Sequence, residues 1–128
     1  MLNSFMGGGK YSTYEQVVGE WIDGKPIYQK VVESVVPTVT ATGEADTNVD
    51  LSSLNIDLLL YCQGSSKTVQ TVPLSTYFVP ASEEKYTQCF YNTSNKNLYI
   101  RNSRFTTDNG KTVYVILIYT KTTDQPSN

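Results

Sequence analysis

The run Val113-Tyr114-Val115-Ile116-Leu117-Ile118-Tyr119 carries no charged residue and no small polar one. Side chains on a strand point alternately to opposite faces, so a strand with water on one side alternates apolar and polar. A run that is apolar on both faces must lie between two covering layers, or between its own core and a second subunit. The rest of the chain is made of similar material. Ten Tyr, four Phe, one Trp and many Val, Thr and Ile fit a pleated, half-buried surface. Ala, the best helix former, is scarce. Several short extended runs are separated by turns rich in Gly, Asn and Ser, which predicts an all-β fold: an antiparallel β-sandwich or a jelly-roll-like domain. A chain of 128 residues suits one such domain and needs no staple to bury a core.

The organisation follows from the turns. Residues 1–10 include Gly7, Gly8 and Gly9 and read as a flexible entry segment. Lys10 after this triplet does not make a phosphate loop, because Tyr11 follows it and Ser4 stands where the first glycine belongs. A single β domain is expected over residues 11–124, with a frayed tail over 125–128. Asp23-Gly24 between two extended runs predicts a tight hairpin. A two-residue loop would set Ile22 opposite Lys25, Trp21 opposite Pro26 and Gly19 opposite Tyr28, with Trp21 and Tyr28 touching diagonally on one face. Pro26 lacks an N–H and implies an edge or a bulge. Thr38 to Thr42 is expected to be extended, and Gly43 to Asn48 a polar loop. In the run Leu51 to Cys62, Ile56, Leu58, Leu60 and Cys62 would share one face and Asp57, Leu59 and Tyr61 the other, although some helical spacing there also allows a short helix. A turn at 64–67 and strands over 68–74 and 77–79 follow. The last third reads as a meander: Tyr86 to Tyr91, a turn over Asn92 to Asn97, Leu98 to Arg101, a turn at Asn109-Gly110, and the closing strand Thr112 to Thr120.

Composition narrows the chemistry. The chain has no His, which removes the usual general base and the commonest metal ligand. Two carboxylates suffice for glycoside hydrolysis, but the acidic residues here fall mostly in expected turns, where solvation explains them better than a catalytic dyad. No enzyme, cofactor or metal is expected. Glu44, Asp46, Asn48 and Asp50 recur at every second position like the start of a calcium loop, yet the central glycine and terminal bidentate Glu are missing, so an acidic loop is the preferred reading. Ten basic against twelve acidic residues, with no Lys/Arg run, argue against nucleic acid as a partner. No apolar stretch is long enough to span a bilayer, and residues 1–10 lack the pattern of a secretory leader. Synthesis in a reducing cytoplasm is therefore expected. Cys62 and Cys89 could pair, but are read as two buried small hydrophobes. The tyrosines invite sugar stacking, although most are expected to pack. Tyr91, beside the turn at Asn92 to Asn97, is the candidate exposed ligand-binding ring. Asn92-Thr93-Ser94 matches a glycosylation sequon and is read as part of that turn.

One segment is distinctive. Residues 11–30, YSTYEQVVGEWIDGKPIYQK, with EQVVGEWIDGKPIYQK as the heart of the match, resemble a module of bacteriophage tail-associated and tail-fibre proteins from phages of Gram-positive bacteria. Residues 51–57, residues 90–96 and the close VILIYTKTTD are similar in the same order. The resemblance implies a non-enzymatic β-domain at or near the end of a larger virion protein, commonly oligomeric, located in the virion and made in the host cytoplasm. It supplies no ligand and no catalytic residue. The expected function is a tail-fibre or receptor-binding module contacting host-surface glycan. The alternative is a structural virion part for trimerisation, connection or decoration that contacts other virion proteins. A homotrimer is the expected assembly, because fibres are commonly built around a three-fold axis.

Overall fold

The computed structural model describes residues 10–66, 75–77 and 85–127. The Gly triplet and the strand expected over 68–74 lie outside the described residues, as do Lys67 of one expected turn and residues 78–79 of another strand. Among the described residues there are eight strands: β1 Gln16–Glu20, β2 Pro26–Val35, β3 Glu44–Asp50, β4 Ile56–Ser66, β5 Ser75–Tyr77, β6 Lys85–Asn92, β7 Asn97–Ser103 and β8 Thr112–Lys121. All pairings are antiparallel. The first sheet has the order β1-β2-β8-β4 and the second β3-β7-β6-β5, and the two pack face to face as a β-sandwich.

The apolar run defines the centre. In β8, Val113, Val115, Leu117 and Tyr119 are fully buried and meet Leu98 and Ile100 of β7, with Val32, Val36 and Leu51 closing the core. On the opposite face, Ile116 and Ile118 join Val18, Trp21, Ile27 and Leu60 in a smaller cluster outside the sandwich. Tyr114 on that face is about half exposed. So one face of β8 is core, and the other is only partly covered within the chain.

The first hairpin forms where Asp-Gly predicts, but with a different register. The loop has three residues, Ile22-Asp23-Gly24, closed by Trp21 N–H donating to Lys25 C=O at 2.8 Å and Gly24 N–H to Trp21 C=O at 2.9 Å. Glu20 therefore faces Pro26 and Gly19 faces Ile27, and beyond a bulge at Val18, Val17 faces Tyr28. This corrects the expected Trp21–Tyr28 contact. Trp21 belongs to the outer cluster, whereas Tyr28 stacks on Tyr119 at 5.9 Å between centroids on the core side. Adding one residue to a hairpin loop exchanges the faces of every residue beyond it. Pro26 opens β2, at a position that β8 does not pair, so its missing N–H leaves no ladder bond unmade.

Two further expectations are corrected by strand irregularities. Residues 44–50 are an edge strand rather than a loop: Ala45, Thr47 and Val49 turn inward while Glu44, Asp46, Asn48 and Asp50 turn outward. In β4 the register shifts twice between Ile56 and Tyr61, so Ile56, Leu59 and Cys62 all reach the core. Leu58 is exposed instead, and Leu60 crosses to the outer cluster. Before β4, Ser52–Leu54 forms one 3-10 turn, which accounts for the helical spacing there. Gly64 and Ser65 continue β4 rather than turning.

Within the tail, Ser127 bonds back to the first hairpin. Ser127 N–H donates to Asp23 C=O at 3.0 Å and its hydroxyl to Gly24 C=O at 3.0 Å. Gly24 sits at φ +89, and a Cβ there would lie 2.8 Å from the Ser127 backbone nitrogen. Gly24→Ala should therefore cost about 1–2 kcal/mol through left-handed strain and displacement of the tail. The expected result is a lower melting temperature and faster amide exchange at Ser127, both read on the purified variant.

Candidate functional site: the outer face of the second sheet

Each strand of the second sheet sends alternate residues away from the core, and the register lines them up in rows. Asp46, Arg101 and Gln88 form one row across β3, β7 and β6; Asn48, Tyr99 and Phe90 form the next. Glu44 and Tyr86 lie in a third, across Ser103. The Phe90 and Tyr99 rings stack with centroids 5.3 Å apart and planes inclined by 21°. The Arg101 guanidinium lies over the Phe90 ring, 5.0 Å from its centroid. It also holds Asp46 in a bidentate pair, Nε to Oδ1 at 2.8 Å and a terminal nitrogen to Oδ2 at 2.9 Å. That carboxylate keeps Arg101 firmly protonated. Two of its five N–H groups serve Asp46, with the Glu44 carboxylate also acting on its charge.

The margins of this platform are fixed too. Tyr86 donates its hydroxyl hydrogen to Glu44 at 3.1 Å, and Asn95 donates its amide to the Tyr99 oxygen at 2.6 Å. Asn95 is placed by the 92–97 turn. Asn92 Oδ1 accepts the N–H groups of Ser94 (2.8 Å) and Asn95 (3.2 Å), and Lys96 adopts φ +60 to complete the reversal. The sequon asparagine therefore spends its side chain on the turn. The face offers flat apolar rings flanked by Arg, Asp, Gln and Asn side chains, all on regular strands. Rings can cover the C–H surface of a flat polar ligand while the flanking groups exchange hydrogen bonds with hydroxyls.

Tyr91, the expected exposed ring, does not belong to this face. It pairs with Leu98 on the inner side and packs against the core, and burial pushes its hydroxyl pKa up. Its sequence neighbour Phe90 points outward instead. The turn beside Tyr91 is where the sequence places it; the parity of the strand decides which ring points outward. The acidic set Glu44, Asp46, Asn48 and Asp50 shares the outer face, but Asp46 is engaged by Arg101. No group of three or more metal-ligating side chains occurs among the described residues.

Two other polar regions have different characters. At one end of the sandwich, Tyr119 donates to the Glu15 carboxylate, Lys121 pairs with Glu15 at 2.6 Å, and Tyr28 donates to Asp124 at 2.6 Å. The bond to Asp124, with some burial, pushes the Tyr28 pKa up to about 12. This cluster fastens the segment before β1 and the tail after β8 to the core. Between β2 and β3 lies an open groove of about 380 Å³, lined among others by Lys30, Glu33, Asp50 and Leu54 and by no aromatic ring. A stacked ring pair with a carboxylate-paired cation thus occurs twice: Phe90–Tyr99 with Arg101 on the second sheet's outer face, and Tyr28–Tyr119 with Lys121 4.8 Å from the Tyr28 centroid, where the fully buried Tyr119 ties the stack to the core. No protein-family model, curated protein or solved structure matches this chain.

Proposed function

We propose that this chain is a non-enzymatic phage virion domain of tail-fibre or receptor-binding type, and that the outer face of its second sheet contacts host-surface glycan. The observation that carries the reading is the stacked Phe90–Tyr99 pair with Arg101 and Asp46 fixed beside it. Such a platform needs no rearrangement to receive a sugar ring, because the strands already hold the side chains. The chain's lack of His is consistent with binding without catalysis.

The test is titration of the purified chain with cell-wall polysaccharide fragments from Gram-positive hosts. Phe90→Ala should weaken binding about tenfold, a loss of ~1.4 kcal/mol, from removal of one stacking surface. Tyr114→Ala, on the far side of the sandwich, should leave affinity unchanged. Equal loss in both variants, or no glycan bound by the native chain, would remove this reading.

A second reading has its own observation. The first sheet's outer face carries Val31, Tyr61, Tyr114 and Ile116 in neighbouring strands, with Tyr61 and Tyr114 nearly half exposed. A second copy of the chain, in a trimer, would cover these residues and make the domain a structural virion part. The two readings use opposite faces and are compatible.

A further inference from the structure

Cys62 of β4 and Cys89 of β6 are free thiols on opposite sheets, and their sulfurs lie 4.0 Å apart across the sandwich. We infer that they form a thiol–disulfide site: a cross-link between the two sheets that closes when the chain meets a small-molecule disulfide oxidant. Three observations support it. The sulfurs already touch, so closing to the ~2.05 Å of a disulfide takes about 2 Å of approach. The facing strands β4 and β6 include Cα pairs within 8 Å of each other, against roughly 4.4–6.8 Å across a disulfide, so closure asks at most a small approach of the strands wherever the two cysteines exceed that span. Both residues are only partly buried, which leaves a reagent a route to them.

The pair also has a chemical polarity. Either thiol can donate across this contact; the contact and the Gly64 backbone N–H lower the Cys89 pKa, whereas the same contact and burial raise that of Cys62. Cys89 is then the leading nucleophile. With oxidised glutathione, the Cys89 thiolate attacks one sulfur of the reagent and releases one glutathione thiolate. Cys62 loses its proton to solvent, attacks the Cys89 sulfur of the mixed disulfide and releases the second. Two protein thiols and one oxidised glutathione become one protein disulfide and two reduced glutathiones. In a reducing compartment the pair stays open; in an oxidising exterior it closes.

The site bears on the glycan face without depending on it. Cys89 stands between Gln88 and Phe90, whose side chains point outward, so a bond at Cys89 anchors the strand that carries them.

The experiment treats the intact chain with oxidised glutathione and reads its mass, its cross-linked peptides and its melting temperature. The expected product has lost two hydrogens, carries no glutathione, links Cys62 to Cys89, and melts about 10 °C higher until dithiothreitol reverses it. Cys62→Ser should instead stop at a glutathione adduct on Cys89. Two stable adducts on the native chain, cross-links between chains, or no reaction would overturn the site. An internal disulfide that lowers the melting temperature would overturn its role as a staple between sheets.

Discussion

Leu117→Ala is expected to lower the free energy of unfolding by about 2–5 kcal/mol, whereas Tyr114→Ala, three residues away on the same strand, should change it by less than about 1 kcal/mol. Leu117 is fully buried on the central strand and contributes to the core beside Leu98 and Ile100. Truncation leaves a void that rigid strands on both sides cannot collapse around. Tyr114 points to the other face and is 48% exposed. Charges sharpen the contrast. Leu117→Asp places a carboxylate in the core without a partner and should abolish folding. Tyr114→Lys leaves each domain folded and, if the first sheet's outer face joins copies of the chain, releases folded monomers. Thermal melts and light scattering on the same samples separate these outcomes. A native chain that scatters as a monomer at tens of micromolar, without concentration dependence, removes the trimer. Equal destabilisation by Leu117→Ala and Tyr114→Ala would contradict the facing of β8.

Asn102→Ala is expected to cost about 3 kcal/mol, a core-like penalty for a polar residue. Asn102 is fully buried on β7. Its amide nitrogen donates to the carbonyl oxygens of Pro37 (3.0 Å) and Phe105 (3.2 Å) and to Asn109 Oδ1 (3.0 Å), while its own oxygen accepts the Phe105 N–H at 3.1 Å. Asn109 extends the network by accepting the Val39 N–H at 2.9 Å and donating to the Val39 carbonyl at 2.8 Å. Two asparagines thus hold the crossover after β2 against the connection from β7 to β8. The segment 37–39 makes no sheet ladder among the described residues, so these side chains satisfy backbone groups that would otherwise lack partners. Alanine removes all of these contacts at once, two amide hydrogens shared among three acceptors and one accepted bond, and water can restore only part of them in so closed a site. Asn102→Asp keeps the acceptor but loses the donors and adds a buried charge, so it should be at least as damaging. Urea melts measure both. A cost below 1 kcal/mol for Asn102→Ala would show that this network is not structural.

Much of the layout is legible in the residues themselves. The run from Val113 to Tyr119 demands cover on both faces, and β8 occupies the middle of its sheet with core on one side. Asp23-Gly24, Asn92 to Asn97 and Asn109-Gly110 all mark reversals, because left-handed backbone and side-chain-capped turns require those residue types. The β6–β7 hairpin follows directly from them. Pro26 signals a position without a ladder bond on one side. Each of these features depends on a few neighbouring residues, so the chain states them locally.

Which face each side chain takes was decided only by the tertiary structure. A single added loop residue at Ile22 sends Trp21 away from Tyr28, and two irregularities in β4 put Leu59 in the core and Leu58 in water. The period of a strand is two, so any bulge reverses all parity beyond it, and the sequence does not say where a bulge will fall. The same ambiguity hid the candidate site. Tyr91 and Phe90 are adjacent, and only pairing with Leu98 and Tyr99 shows that Phe90 is the ring on the outer face. Glu44 to Asp50 looks like a loop because its inward residues are small, and it becomes a strand through β7, more than forty residues later. Cys62 and Cys89 meet for the same reason. Their contact belongs to two sheets, and no local pattern encodes a distance across a sandwich.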